Sequence, residues 1–294
     1  MKKLKQVCTS TVFLAFFFLM GGDGIAQLAI GQWRDHLSYK KGISVTQSTD
    51  KIFCATESGI FSLEKYGYTI ERLSKITGLS DVGVSTIRYN DFDKTLLIAY
   101  KNANIDLVID KKIYNVPDIK RYVITAKKTI NNIYLKNGLA YLACGFGIVV
   151  LDMDKKEIKD TYYIGTNAGF INIRDITSDA SYLYAATDSG VFRASLNAPN
   201  LADYNSWNKL AGLPKGIYNS IAVLNGKVYT NNSGFLATGS WVSDTIYAFD
   251  GTTWTKPIPN SVYGNSLLRK MEVFNNQLVI AFAGGVDFYD STGT

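Results

Sequence analysis

A single histidine, His36, constrains what chemistry the chain can do. A Ser-His-Asp or Cys-His site would have to be built around it, yet no nucleophile-elbow spacing lies nearby. One His cannot supply the usual zinc ligand set either, so His36 reads as a surface or strand-edge residue. Asn90, Asp91 and Asp93 place side-chain oxygens in one turn, but no full calcium-loop spacing follows, and Asn and Asp are ordinary turn formers. Gly145 and Gly147 lack the strand-to-helix setting of a phosphate loop and read as a hairpin turn. Carboxylate pairs for glycoside chemistry can be drawn from distant parts of a chain, and residue spacing is blind to that arrangement. The residues therefore point to no catalytic site, no metal site and no cofactor. They favour binding or scaffolding, for which 19 Tyr and 4 Trp are suited, although most aromatics will pack internally.

The elements that would carry a binding surface are set by a repeat. An apolar run, a turn containing Gly and a second apolar run recur along the chain. Ile52–Phe61 (IFCATESGIF) and Leu183–Phe192 (LYAATDSGVF) are nearly the same; 142–149 and 279–286 are further copies. Leu97–Ile105 is a weaker one, with Asn104 where Gly is expected, because Asn tolerates the same positive φ. The turn residues fall at 59, 104, 147, 190 and 285, with gaps of 45, 43, 43 and 95, and a sixth copy (227–230 with 245–248) fills the double gap. A strand precedes each hairpin, as in Gly78-Leu79 with Val84–Ile87 and Gly212-Leu213 with Ile217–Ile221, nine residues from Gly to Ile in both. A short strand follows, as at Ile70–Leu73, Trp207–Leu210 and Trp254–Pro257. Four short strands in about 45 residues, six times over, predict an all-β propeller of four-stranded blades.

The N-terminus is an address. Lys2, Lys3 and Lys5 precede an apolar run at Val12–Met20, and Gly24-Ile25-Ala26 supplies small cleavage residues. The run is too short for a membrane span. Residues 1–26 are thus expected to be a secretory signal peptide cut between Ala26 and Gln27, leaving 27–294 as the propeller of an exported protein. Cleavage removes three lysines and Asp23, so the formal charge falls from +6 to +4. That surplus is too mild and too evenly spread for nucleic acid. Cys54 and Cys144 remain, one residue apart in hairpin phase and two units apart, so they are expected to be buried, unpaired thiols.

The repeat phase bears on closure. Gln32–Leu37 matches the fourth-strand segments with nothing before it, while Val286–Tyr289 looks like a third strand with no fourth. Pairing the two would close the ring and hide its edges.

The start of the mature chain, Trp33-Arg34-Asp35-His36-Leu37-Ser38-Tyr39, with Ala55-Thr56-Glu57-Ser58-Gly59 and Gly78-Leu79-Ser80, resembles the PorZ family of the Bacteroidetes type IX secretion system. The repeats are also similar to the propellers of hybrid two-component regulators. The first resemblance implies seven blades instead of six, and a place in the periplasm or at the outer-membrane surface. It further implies partners in the sortase PorU and in PorV and PorQ, and recognition of anionic lipopolysaccharide. It assigns no binding residue. The second implies the alternative, a periplasmic glycan-sensing domain.

Overall fold

A computed structural model describes residues 37–234, 240, 243–258 and 267–290. They fold as six antiparallel sheets, one for each sequence repeat, and each sheet is a propeller blade. Blade one runs Gly42–Gln47, Lys51–Thr56, Ile60–Glu64 and Ile70–Leu73, each strand pairing with the next. Blades two to five repeat this order with inner strands Val84–Asn90, Ile130–Lys136, Ile173–Ser178 and Ile217–Leu224. Blade six contributes Leu268–Phe274, Gln277–Phe282 and Gly285–Tyr289, three strands among the described residues. The hairpins and the fourth strands at Ile70, Trp207 and Trp254 lie where the repeat predicts. Gln32–His36, the expected closing strand, and the signal segment lie outside the described residues.

The turn glycines have a second cause besides the positive φ the sequence suggests, which Gly147 (+156°) and Gly190 (+141°) do adopt. A Cβ on Gly59 would stand 2.9 Å from the Leu73 carbonyl oxygen, and one on Gly147 would meet that of Tyr162. The residue must be Gly because the outermost strand passes against it. Asn104, expected at positive φ, is not there; Ala103 takes the left-handed conformation at φ +63°. Asn104 instead accepts from Asn115 Nδ2 at 3.0 Å, holding the third strand of blade two to the fourth.

Blades stack through apolar faces. Two residues beyond the start of each inner strand's irregular step sits an apolar side chain aimed at the preceding blade: Ile87, Ile133, Ile176, Ile221 and Met271 are 1–3% exposed. Val45, the same position in blade one, is 61% exposed. The forward-facing position behaves likewise. Ile60, Ile105, Ile148, Val191 and Ile246 are 0% exposed, and Val286 of blade six is 53% exposed. Five inter-blade interfaces are thus dry. The sixth, between blades six and one, is an open seam among the described residues.

Cys144 is buried and Cys54 half-buried, both as free thiols. Full burial was expected of both, but Cys54 sits in blade one beside the open seam, so less covers it. Burial pushes both thiols above their ordinary pKa.

This packing separates two conservative substitutions. Ile133→Ala should destabilise the fold by about 2–5 kcal/mol, whereas Val45→Ala should cost less than about 0.5 kcal/mol. Urea unfolding of the two variants decides the matter, and equal losses would show that the seam is covered.

Candidate binding site in the central channel

Each inner strand carries one extra residue against its neighbour at the same place in the repeat. Such a bulge re-aims a side chain. Here the bulge residues are Ile43, Ser85, Asn131, Arg174, Asn219 and Arg269, and all six line one chamber of about 520 Å³ at the centre of the ring. Blades one and six add Val45, Val279 and Ala281, so apolar side chains share the lining with amide, guanidinium, ammonium and carboxylate groups.

In blades one, three, four and five the residue after the bulge ties its blade to the next. Ser44 Oγ accepts from Ile87 N at 3.3 Å, and Ser220 Oγ accepts from Met271 N at 2.9 Å. Asp175 does most. Its Oδ2 accepts from Ile221 N (3.0 Å), Ser220 Oγ (3.1 Å) and Lys270 Nζ (3.0 Å), while Oδ1 accepts from its neighbour Ile176 N (2.9 Å) and from Asn132 Nδ2. One carboxylate, 2% exposed, thereby joins blades three, four, five and six. A buried charge is tolerated because it is paired and its lone pairs are filled.

Below this level a second chamber of about 180 Å³ continues the channel. Arg88, Asn132, Lys270 and Glu272 line both chambers. Arg88 Nη1 reaches Glu272 at 2.7 Å, so an ion pair between blades two and six lies where the chambers meet.

The two faces of the ring differ in charge. The loops from one blade to the next and the turns between second and third strands share a face with the bulges. On these loops Lys and Arg outnumber Asp and Glu ten to five among the described residues; on the opposite loops carboxylates outnumber Lys nine to five. Exposed apolar side chains, Ile76, Val82, Tyr122, Val123 and Phe170, stand among the cations of the basic face. Lys128 Nζ donates to the Lys120 and Tyr122 carbonyls at 2.6 and 3.1 Å, which fixes the loop that presents Tyr122 and Val123. Asp81 anchors the same region. Burial opposes its ionisation, but bonds from Lys120, Asn102 and Val82 N together with the Lys120 charge outweigh that and hold its carboxyl down at about 2.

The sequence candidates separate clearly. His36 and the Ala26-Gln27 junction lie outside the described residues. Asn90, Asp91 and Asp93 are turn acceptors, for Phe92 N, Thr49 N and Thr95 N; no group of three or more metal-ligating side chains occurs among the described residues. Gly145 and Gly147 stand in a hairpin turn. The stretch 231–244 between the two halves of the sixth copy, which the repeat leaves as a long loop, is structured at its ends. Asn231–Ser233 belongs to a strand, and Asn231 and Asp244 are buried, with Asp244 Oδ2 accepting from Asn231 Nδ2 and Leu268 N. Sequence reasoning missed the channel residues. The signal for them was the polar pair that, in blades two to six, stands just ahead of the buried Ile or Met of the inner strand.

The family model for the N-terminal β-propeller domain of PorZ, of the type IX secretion system, matches residues 52–208. The chain belongs to this family. It is similar in structure to PorZ of Porphyromonas gingivalis, described as an essential bacterial surface component of the type IX secretion system, with 24% identity and a TM-score of 0.74. The match covers 90% of this chain and 33% of that one, so the chain spans about a third of its relative's length. The fold is also shared with the extracellular domain of a hybrid two-component system protein from B. thetaiotaomicron, at 17% identity and a TM-score of 0.63, covering 90% of this chain and 35% of that chain. A comparison with curated proteins gave no match. As a PorZ-type propeller, the chain implies a type IX secretion component.

Asp81 gives a pH signature to the basic face of this family member. Its folded pKa lies below the unfolded value of about 3.9, so its contribution is complete above that value and disappears as pH falls towards 2. Asp81→Asn should therefore lower Tm near neutral pH, with the gap to the parent closing between about pH 4 and pH 2. Thermal melts across that range test this, and a gap independent of pH would contradict it.

Proposed function

We propose that the chain is a non-catalytic binding component of the type IX secretion attachment complex, exported to the periplasm or the outer-membrane surface. In this reading its basic inter-blade face meets the sortase PorU, PorV and PorQ, together with anionic lipopolysaccharide. The observation that carries the reading is that face, on a propeller of the PorZ family. Its cations are gathered on one side of the disc, and apolar tips stand among them. Clustered charge draws anionic partners from a distance, and exposed apolar side chains supply the desolvated contacts that charge alone does not. Loops on a rigid scaffold commonly carry such binding. The signal sequence supports export.

Deletion of the gene should abolish attachment of secreted cargo to the cell surface, and tagged protein should co-purify with PorU, PorV or PorQ. Replacing Arg121 and Lys127, which are exposed and take no part in the Asp81 and Lys128 anchors, by Glu should reduce retention of anionic lipopolysaccharide several-fold while Tm is preserved. Normal attachment in the deletion strain, with altered transcription of a polysaccharide-use operon, would instead establish the glycan-sensing role.

A further inference from the structure

The chamber ringed by the six bulges has a charge balance that identifies what it can hold. Four cations line its wall, Arg88, Arg174, Arg269 and Lys270. Arg88 pairs with Glu272 at 2.7 Å, Arg174 Nε with Asp188 at 2.5 Å, and Lys270 with Asp175 at 3.0 Å. Arg269 has no anionic partner among the described residues and is exposed to the chamber. One positive charge is thus left uncompensated, on a guanidinium whose fork matches a carboxylate.

The amides beside it add a second requirement. Asn131 Nδ2 is committed to the Ile173 and Asn172 oxygens, and Asn132 Nδ2 to Asp175. Their Oδ1 atoms accept nothing among the described residues. The polar wall therefore offers one anion-binding fork and two vacant acceptors, and a ligand satisfying it must bring one negative charge and hydroxyl donors together. Inorganic phosphate or acetate supplies the charge without the array of donors, and a neutral sugar does the reverse. Ile43, Val45, Val279 and Ala281, which share the lining, suit the C–H face of such a molecule. The volume, about 520 Å³, falls within the roughly 300–1,000 Å³ of small-ligand sites, which are mostly apolar with a few placed polar groups.

We propose that the bulge chamber binds a hydroxylated monocarboxylate, of the class of the sugar acids, with Arg269 holding the carboxylate and Asn131 and Asn132 accepting from its hydroxyls. This site is independent of the partners assigned to the basic face, since it is built from inner-strand residues and not from the loops.

Calorimetric titration of the purified full chain with glucuronate, galacturonate and gluconate tests it, with glucose, acetate and inorganic phosphate as controls. At least one sugar acid should bind saturably, at least tenfold more tightly than every control. Arg269→Gln should weaken that binding tenfold or more at unchanged Tm, Arg269→Lys should restore part of it, and Arg121→Gln on the outer face should leave it unaltered. Absence of saturable binding by all three acids would overturn the proposal. So would equal affinity in Arg269→Gln, or acetate or phosphate binding as tightly as the acids, which would reduce the chamber to a bare anion site.

Discussion

The inner strand of a propeller blade is a sheet edge, and every other feature of this ring accommodates that fact. Its outward side pairs with the second strand, but its channel side has backbone N–H groups with no strand to receive them. The chain answers with side chains from the preceding blade. Ser44 and Thr46 accept from Ile87 N and Tyr89 N; Asp175 accepts from Ile221 N and Ser220 from Met271 N. The bulge makes this possible. By inserting one residue it turns its own side chain into the channel and swings the next towards the neighbouring blade. Structural tie and ligand-facing group are consequently adjacent in sequence and, except at Asn132, separate in duty.

That division explains how an apolar stacking core coexists with a polar centre. The buried Ile or Met just beyond each tie fills the inter-blade interface, and it is this layer, not the channel, that supplies the hydrophobic stabilisation. The seam marks where the layer has no counterpart among the described residues. Val45 and Val286 keep the residue type of the repeat without the burial that goes with it. The Arg88–Glu272 pair spans two blades flanking the seam, contributing at most about 1 kcal/mol at such exposure. The ring is therefore held mainly by the five dry interfaces.

Most of the architecture was legible in the sequence because it is periodic. Hairpins such as Ile52–Phe61 and Leu183–Phe192 repeat nearly residue for residue, and strand alternation fixes their register. The steric reason for Gly59 and Gly147 was not legible, since a clash with Leu73 or Tyr162 involves a strand a dozen or more residues away. The site was hidden for a related reason. Ile43, Ser85, Asn131 and Arg174 share no residue type, so similarity searching along the chain cannot align the bulge residues as a set. Only the bulge, a backbone event, shows that they occupy one position. Asp175 likewise reads as an unremarkable acidic residue until four blades are seen to converge on it.

The direction of the ties has a consequence for how the molecule is made. Side chains of one blade reach forward to the backbone of the following one, at Ser44, Asp175 and Ser220 alike. Each blade is itself a local meander, and local contacts form quickly. During synthesis from the N-terminus, blades two, five and six meet acceptors already positioned by the blade before them. Their inner strands can dock as they emerge, without waiting for the chain to finish. The polypeptide thus carries part of its own template for vectorial assembly.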